Sequence, residues 1–223
     1  MPRPRLVVGV DLSTRSCGLA VVDFLSSGDV RYRASWQIQS PLKSDQWGRL
    51  YYMTEAITNR LLGLYGKASV ELGCGPVVLD ELDWGPVVFE RVRLFHHGKV
   101  SLAAIRDLAR LQGAICLIAR DELDNAQVVE VDVRQWRKAV LGNGNASKGD
   151  VVKWATEFSG KERLGVDEAE AIALAYYGTI VEKAKQTQQS TQRKRSKRGG
   201  ATNGGRSRQG RSMAGRSGKR QKR

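Results

Sequence analysis

The chain has 223 residues, 41% of them hydrophobic, and 37 Lys and Arg against 23 Asp and Glu give it a net charge of +14. No run approaches the roughly 18–20 consecutive apolar residues of a membrane helix. The opening MPRPR leads into a strand-like segment rather than an apolar signal core, and Cys17, Cys74 and Cys116 are too far apart for a disulfide framework or a Cys-x-x-Cys zinc site. The expectation is a cytoplasmic protein, bacterial or in the cytoplasm of a virus's host, or else a nuclear one, with its thiols reduced.

In chain order, Leu6–Leu12 and Gly18–Phe24 are β-branched apolar runs joined by a short polar link, which reads as a hairpin. Arg31–Ile38 alternates Tyr32, Ala34, Trp36 and Ile38 with polar or small residues, the pattern of a third strand packed on one face. Leu50, Ile57, Leu61 and Leu64 predict a helix over Trp47–Leu64, ahead of a Gly-rich turn region from Gly66 to Gly75. A strand follows at Val87–Val92, interrupted by Glu90, and then a helix over Ser101–Arg120 with Leu102, Ile105, Leu108, Ala109, Gln112 and Ile115 along one face. Gln127–Val133 predicts the fifth strand, Ser147–Phe158 a short amphipathic helix and Asp167–Val181 a last helix, apolar nearly all round and so buried. The expected fold class is α/β, an antiparallel three-strand opening followed by parallel strands with helices between them.

The charge is uneven. Fifteen basic residues and no acid fall between Lys183 and Arg223, which leaves 22 basic against 23 acidic residues before them. That segment has no aromatic, Ile, Leu or Val and cannot bury enough surface to fold alone. The expected division is a domain over residues 1–182 and a disordered Lys/Arg/Gly-rich tail over 183–223.

Four acids stand where a purely structural role is strained. Asp11 ends the first strand, Glu90 interrupts the fourth, and Asp167 and Glu170 open the last helix three residues apart, on one face. Buried carboxylates are costly unless paired or holding a metal, and a divalent cation bound through oxygen removes their mutual repulsion. Each acid has an ordinary alternative. Asp167 and Glu170 fit an N-terminal capping box, Asp11 fits a cap for the loop at Ser13, and Glu90 fits an ion pair with Arg91 or Arg106. A metal cluster accounts for all four together. Asp80, Glu81 and Asp83 lie among Gly and Pro and read as a solvated loop. His96 and His97 are adjacent and point apart, poor metal ligands. Gly142–Gly149 misses a phosphate-binding loop at Ser147 and Gly149.

The order of these motifs resembles RuvC-type Holliday-junction resolvases, within the ribonuclease H-like superfamily. Val8-Gly9-Val10-Asp11-Leu12-Ser13-Thr14-Arg15-Ser16-Cys17-Gly18-Leu19-Ala20-Val21 is similar to the family's first motif, with Leu12-Ser13 where it has Pro-Gly. Val88-Phe89-Glu90-Arg91-Val92 resembles its second acidic strand, and the stretch from Ala103 to Ala114 its next helix. Gly142-Asn143-Gly144-Asn145-Ala146-Ser147-Lys148 resembles the segment bearing a basic active-site residue, and Asp167-Glu168-Ala169-Glu170-Ala171 the closing helix, with Glu170 where the family has Asp.

The resemblance implies a ribonuclease H-like five-stranded mixed sheet flanked by helices. It also implies a structure-selective endonuclease that hydrolyses phosphodiester bonds in branched DNA, the four-way junction above all, in recombination, repair or replication. Asp11, Glu90, Asp167 and Glu170 would hold two Mg²⁺ ions, or Mn²⁺ in their place, with Asp11 bridging. One ion activates water and the other stabilises the departing 3′ oxygen. Lys148 would meet the phosphate, Arg15, Arg91, Arg93, Phe95, Arg106, Arg137 and Lys138 would serve the DNA groove, and Arg93 or Phe95 would take the junction-wedge role. Arg193, Lys194 and Arg195 in the tail would contact DNA without reading sequence, or serve as a nuclear address. A homodimer built on the helix from Leu102 to Ile118 would place two sites on one junction. Two other readings stay open: an actin-like or sugar-kinase-like ATPase, since Gly9–Thr14 also resembles that superfamily's phosphate hairpin, and a non-catalytic nucleic-acid-binding protein.

Overall fold

The computed structural model describes residues 4–13, 15–41, 45–71, 83–91, 102–124 and 126–199, with side chains described up to 64 in the first helix and up to 192 in the last. Val92, Arg93, Phe95, His96, His97, Cys74, Asp80 and Glu81 lie outside these residues, as do the side chains of Arg193, Lys194 and Arg195.

Five strands form one sheet in the order β3-β2-β1-β4-β5. β1 (Arg5–Asp11), β2 (Ser16–Phe24) and β3 (Val30–Gln39) are antiparallel neighbours, whereas β4 (Asp83–Glu90) and β5 (Val128–Val131) run parallel to β1. Helices α1 (Gln46–Glu71) and α2 (Leu102–Asp121) connect β3 to β4 and β4 to β5, and α3 (Val133–Leu141), α4 (Lys148–Ser159) and α5 (Val166–Gly199) follow. The mixed α/β architecture expected from the sequence is the one observed.

Strand alternation divides the interior into two layers. Leu6, Val8, Val10, Val87 and Phe89 pack with Met53, Ile57, Leu111 and Ile115 of α1 and α2. Val7, Ala20, Val22 and Val88 pack with Trp136, Val151 and the α5 residues Ala171, Ile172 and Ala175. The same parity turns Asp11 and Glu90 toward α5. They end adjacent parallel strands, one step beyond the Val10–Phe89 pair.

Four sequence-based boundaries change. First, the stretch after Asp132 is a helix, α3. Asp132 caps it by accepting from the Arg134 amide, and Gly142 ends it at φ 78°. Second, α1 is helical through Gly66 to Glu71, where a turn was expected. Third, Asp83 opens β4 and its carboxylate lies 3.1 Å from the Arg5 guanidinium, instead of sitting in a loop. Fourth, α5 does not stop at Val181 but continues to Gly199. Residues 182–198 hold no Gly or Pro and are rich in Lys, Arg and Gln, so nothing halts propagation before the glycine pair. The chain divides into two units at Ala184 and Lys185, and the second is, among the described residues, the helical continuation to Gly199.

Along α2, Asp107, Leu111, Ile115, Ile118 and Ala119 are buried, whereas Leu102 and Ala109, expected on the apolar face, are exposed. Packing on the sheet and α1 consumes most of the stripe.

Candidate active site

The site lies where α5 crosses the ends of β1 and β2, and glycines set the approach. A Cβ on Gly18 would stand 1.8 Å from the Asp167 carbonyl oxygen, and one on Gly9 would stand 2.1 Å from the Ala171 carbonyl oxygen and 2.3 Å from the Ala175 nitrogen. Small residues at 171 and 175, one helical turn apart, complete the contact. Helix backbone therefore rests on strand backbone, and the first turn of α5 is brought over Asp11.

One ligand-capable oxygen from each of Asp11, Asp167 and Glu170 falls within 4.8 Å of the others. Glu170 is buried, and Asp11 and Asp167 are half-buried. Burial first, and then the charges of Glu170, Asp167 and Glu90, push the Asp11 carboxyl up to about 8, with Lys148 partly opposing them. Glu90 is close enough to act on Asp11 but stands apart from the 4.8 Å group, and its Oε2 accepts from the indole Nε1–H of fully buried Trp136 at 3.4 Å. The three-carboxylate cluster is an all-oxygen donor set short of positive charge, which suits a hard divalent cation.

Two cations meet Glu170. Arg137 Nη2 donates to Oε1 at 2.8 Å while its Nη1 donates to the Ala146 carbonyl at 2.8 Å, and exposed Lys148 Nζ lies 3.4 Å from Oε2. Ser147 caps α4 in a full capping box with Asp150, which fixes the place of Lys148 in the first turn. Asp167 does not act as a helix cap. Its Oδ2 accepts from Ser16 Oγ at 2.5 Å and from Gln37 Nε2 at 3.5 Å, across the sheet. Neighbouring Glu168 stands outside the cluster, buried against Ser35 Oγ at 2.5 Å and Lys161 Nζ at 2.6 Å.

Asp11, Asp167, Glu170 and Lys148 thus come together, with Glu90 and Arg137 beside them. Arg15, Arg91 and Lys138 are exposed, Arg91 lies 3.8 Å from Glu130, and Arg106 lies 3.7 Å from Asp107. Sequence reasoning missed α3, which carries Trp136 and Arg137. The pair Asp132 and Gly142, with Val133, Trp136 and Val140 between them, was its signal. It also missed Ser16, Gln37 and the Glu168–Lys161 pair, which nothing in sequence spacing marks.

No family model and no curated protein sequence matches this chain. Among solved structures, Thermus thermophilus RuvC is similar over 77% of this chain and 92% of its own, at 17% identity and a TM-score of 0.55. The same protein in complex with a Holliday junction substrate is similar over 77% and 91%, at 16% identity and a TM-score of 0.54. The yeast mitochondrial Holliday junction resolvase Ydc2 is similar over 78% and 77%, at 12% identity and a TM-score of 0.48. On the likeness to the two Thermus structures and the sheet order described above, the chain has the ribonuclease H-like fold seen in RuvC.

Proposed function

We propose that this chain is a divalent-metal-dependent endonuclease that cuts branched DNA, with the four-way junction as its principal substrate. The observation that carries this reading is the cluster of Asp11, Asp167 and Glu170, three carboxylates within 4.8 Å at the strand ends of a ribonuclease H-like sheet. The junction-bound structure of a protein with the same fold supports the choice of substrate.

Asp11, Asp167 and Glu170, with Glu90 beside them, would hold two Mg²⁺ ions. When bound, these ions would supply the charge for water activation and for leaving-oxygen stabilisation. Asp11, whose charge is coupled to Glu170, then Asp167, then Glu90, would be the carboxylate shared between the two ions. Arg137 holds one oxygen of Glu170 from behind. Lys148, exposed at the mouth, can leave Glu170 for a scissile phosphate. Exposed Arg15, Arg91 and Lys138 add backbone contacts, and a two-fold dimer would present two such sites to opposed strands.

The test is metal-dependent nicking of a synthetic four-way junction, set beside linear duplex and an RNA–DNA hybrid. Junction cutting in Mg²⁺, lost in Asp11→Ala and Glu90→Ala while junction binding persists, is the expected result. Retained cutting by Asp11→Ala overturns the assignment. ATP hydrolysis without cutting would favour the kinase-like reading, and binding alone the non-catalytic one.

A further inference from the structure

Asp167 is served by a short relay of hydrogen bonds that begins on the edge strand. Gln37 Nε2 lies 2.9 Å from Ser16 Oγ, and Ser16 Oγ lies 2.5 Å from Asp167 Oδ2. An amide nitrogen only donates and a carboxylate only accepts, so the direction of the relay is fixed. Gln37 fills an acceptor position on the Ser16 oxygen, and the single hydroxyl proton of Ser16 goes to Asp167. The strands place the parts. Gln37 pairs with Gly18 across the β2–β3 ladder, and Ser16 and Gly18 share the sheet face on which α5 rests. Gly165, just ahead of α5, makes room for the amide, since a Cβ there would stand 2.1 Å from Gln37 Oε1. Glu168 is held from the same strand two residues away, through Ser35, and from Lys161. The first turn of α5 is thus tied to β3 at two successive positions of the face that α5 covers.

We infer that Ser16, oriented by Gln37, is a positioning residue for Asp167. It engages Oδ2 and leaves Oδ1 as the oxygen presented to a cation shared with Asp11 and Glu170. This rests on the reading of Asp167 as a metal ligand. A charge-assisted O–H donor restricts carboxylate rotation without competing as a cation would, and such supporting contacts commonly change metal affinity 10- to 100-fold. Because the relay sits at a partly exposed rim, the lower end of that range applies.

The test uses Mn²⁺ alone as probe, with the full chain, by isothermal titration calorimetry. Thermal unfolding without metal serves as the folding control. Ser16→Ala should weaken Mn²⁺ binding about tenfold with metal-free unfolding little changed, and Ser16→Thr, which keeps the hydroxyl, should restore it. Gln37→Met, at an exposed position that the fold tolerates, should weaken binding by a smaller factor and serves if Ser16→Ala does not fold. In junction nicking the deficit should appear as a higher Mn²⁺ requirement, with kcat recovered at saturating Mn²⁺. Wild-type-like Mn²⁺ affinity in both Ser16→Ala and Gln37→Met overturns the relay alone. A wild-type chain that binds no Mn²⁺ overturns the ligand assignment, and the relay with it.

Discussion

Asp11 is surrounded by three other carboxylates, and its own carboxyl is pushed up to about 8 from an ordinary 3.8. An acid whose folded value lies above its unfolded value opposes folding at every pH above the unfolded value, and the opposition grows through the range where the unfolded chain has ionised and the folded one has not. The cost is absent well below pH 4, grows as pH rises and reaches its full size above about 8, on the order of a few kcal/mol for a shift of this size. Asp11→Asn should therefore raise the melting temperature of the metal-free protein by several degrees at pH 8, with a gain that shrinks toward pH 4. Millimolar Mg²⁺ should raise the melting temperature of the wild type at pH 8 and do little for Asp11→Asn. A variant no more stable than wild type at pH 8 would contradict the buried, repelling cluster. Asp11 and Glu90 were legible because a carboxylate inside an apolar strand demands an explanation. Ser16 and Gln37 were not, because their partner Asp167 lies more than a hundred residues along the chain and neither residue is unusual where it stands.

The helix α5 gains its place by backbone contact. Gly18→Ala should cost about 3 kcal/mol or more, because the atom met by the new Cβ is a main-chain carbonyl that cannot rotate away. Gly63→Ala, in the exposed interior of α1 with no atom within 4 Å of the new Cβ, should stabilise by about 0.5–1 kcal/mol. Urea unfolding of the two variants beside wild type measures both, and a well-tolerated Gly18→Ala would contradict the close approach. The long periodic elements were legible from hydrophobic spacing. The nine-residue α3 was hidden because its first residue, Val133, continues the β-branched alternation of β5 across Asp132, so the strand pattern ran into the helix start. The extension of α5 past residue 182 was hidden because a composition that excludes a core does not exclude a lone helix built of strong helix formers.

At the scale of the molecule, the +14 belongs to one end of the chain. Residues 185–223 carry fourteen basic residues and no acid. Deleting them should weaken binding to every DNA and flatten the dependence of log affinity on log salt, because fewer counterions are released. Metal-dependent cutting at saturating junction should persist. Loss of the cutting step itself would show that the basic segment takes part in catalysis. The strand directions, an antiparallel opening followed by parallel strands, followed from the succession of strands and helices, since short links favour antiparallel neighbours and helical crossovers favour parallel ones. The tightness of the cluster did not, because it depends on which glycines face which helix turn. That arrangement separates two kinds of indispensability. In a saturation library selected only for soluble, folded protein, Asp11 should drift freely toward neutral residues, Asp167 and Glu170 should be held in part by their partners Ser16 and Arg137, and Gly9 and Gly18 should admit no replacement. Selected for cutting, all five positions should become equally immovable, so comparing the two selections would sort chemistry from architecture position by position.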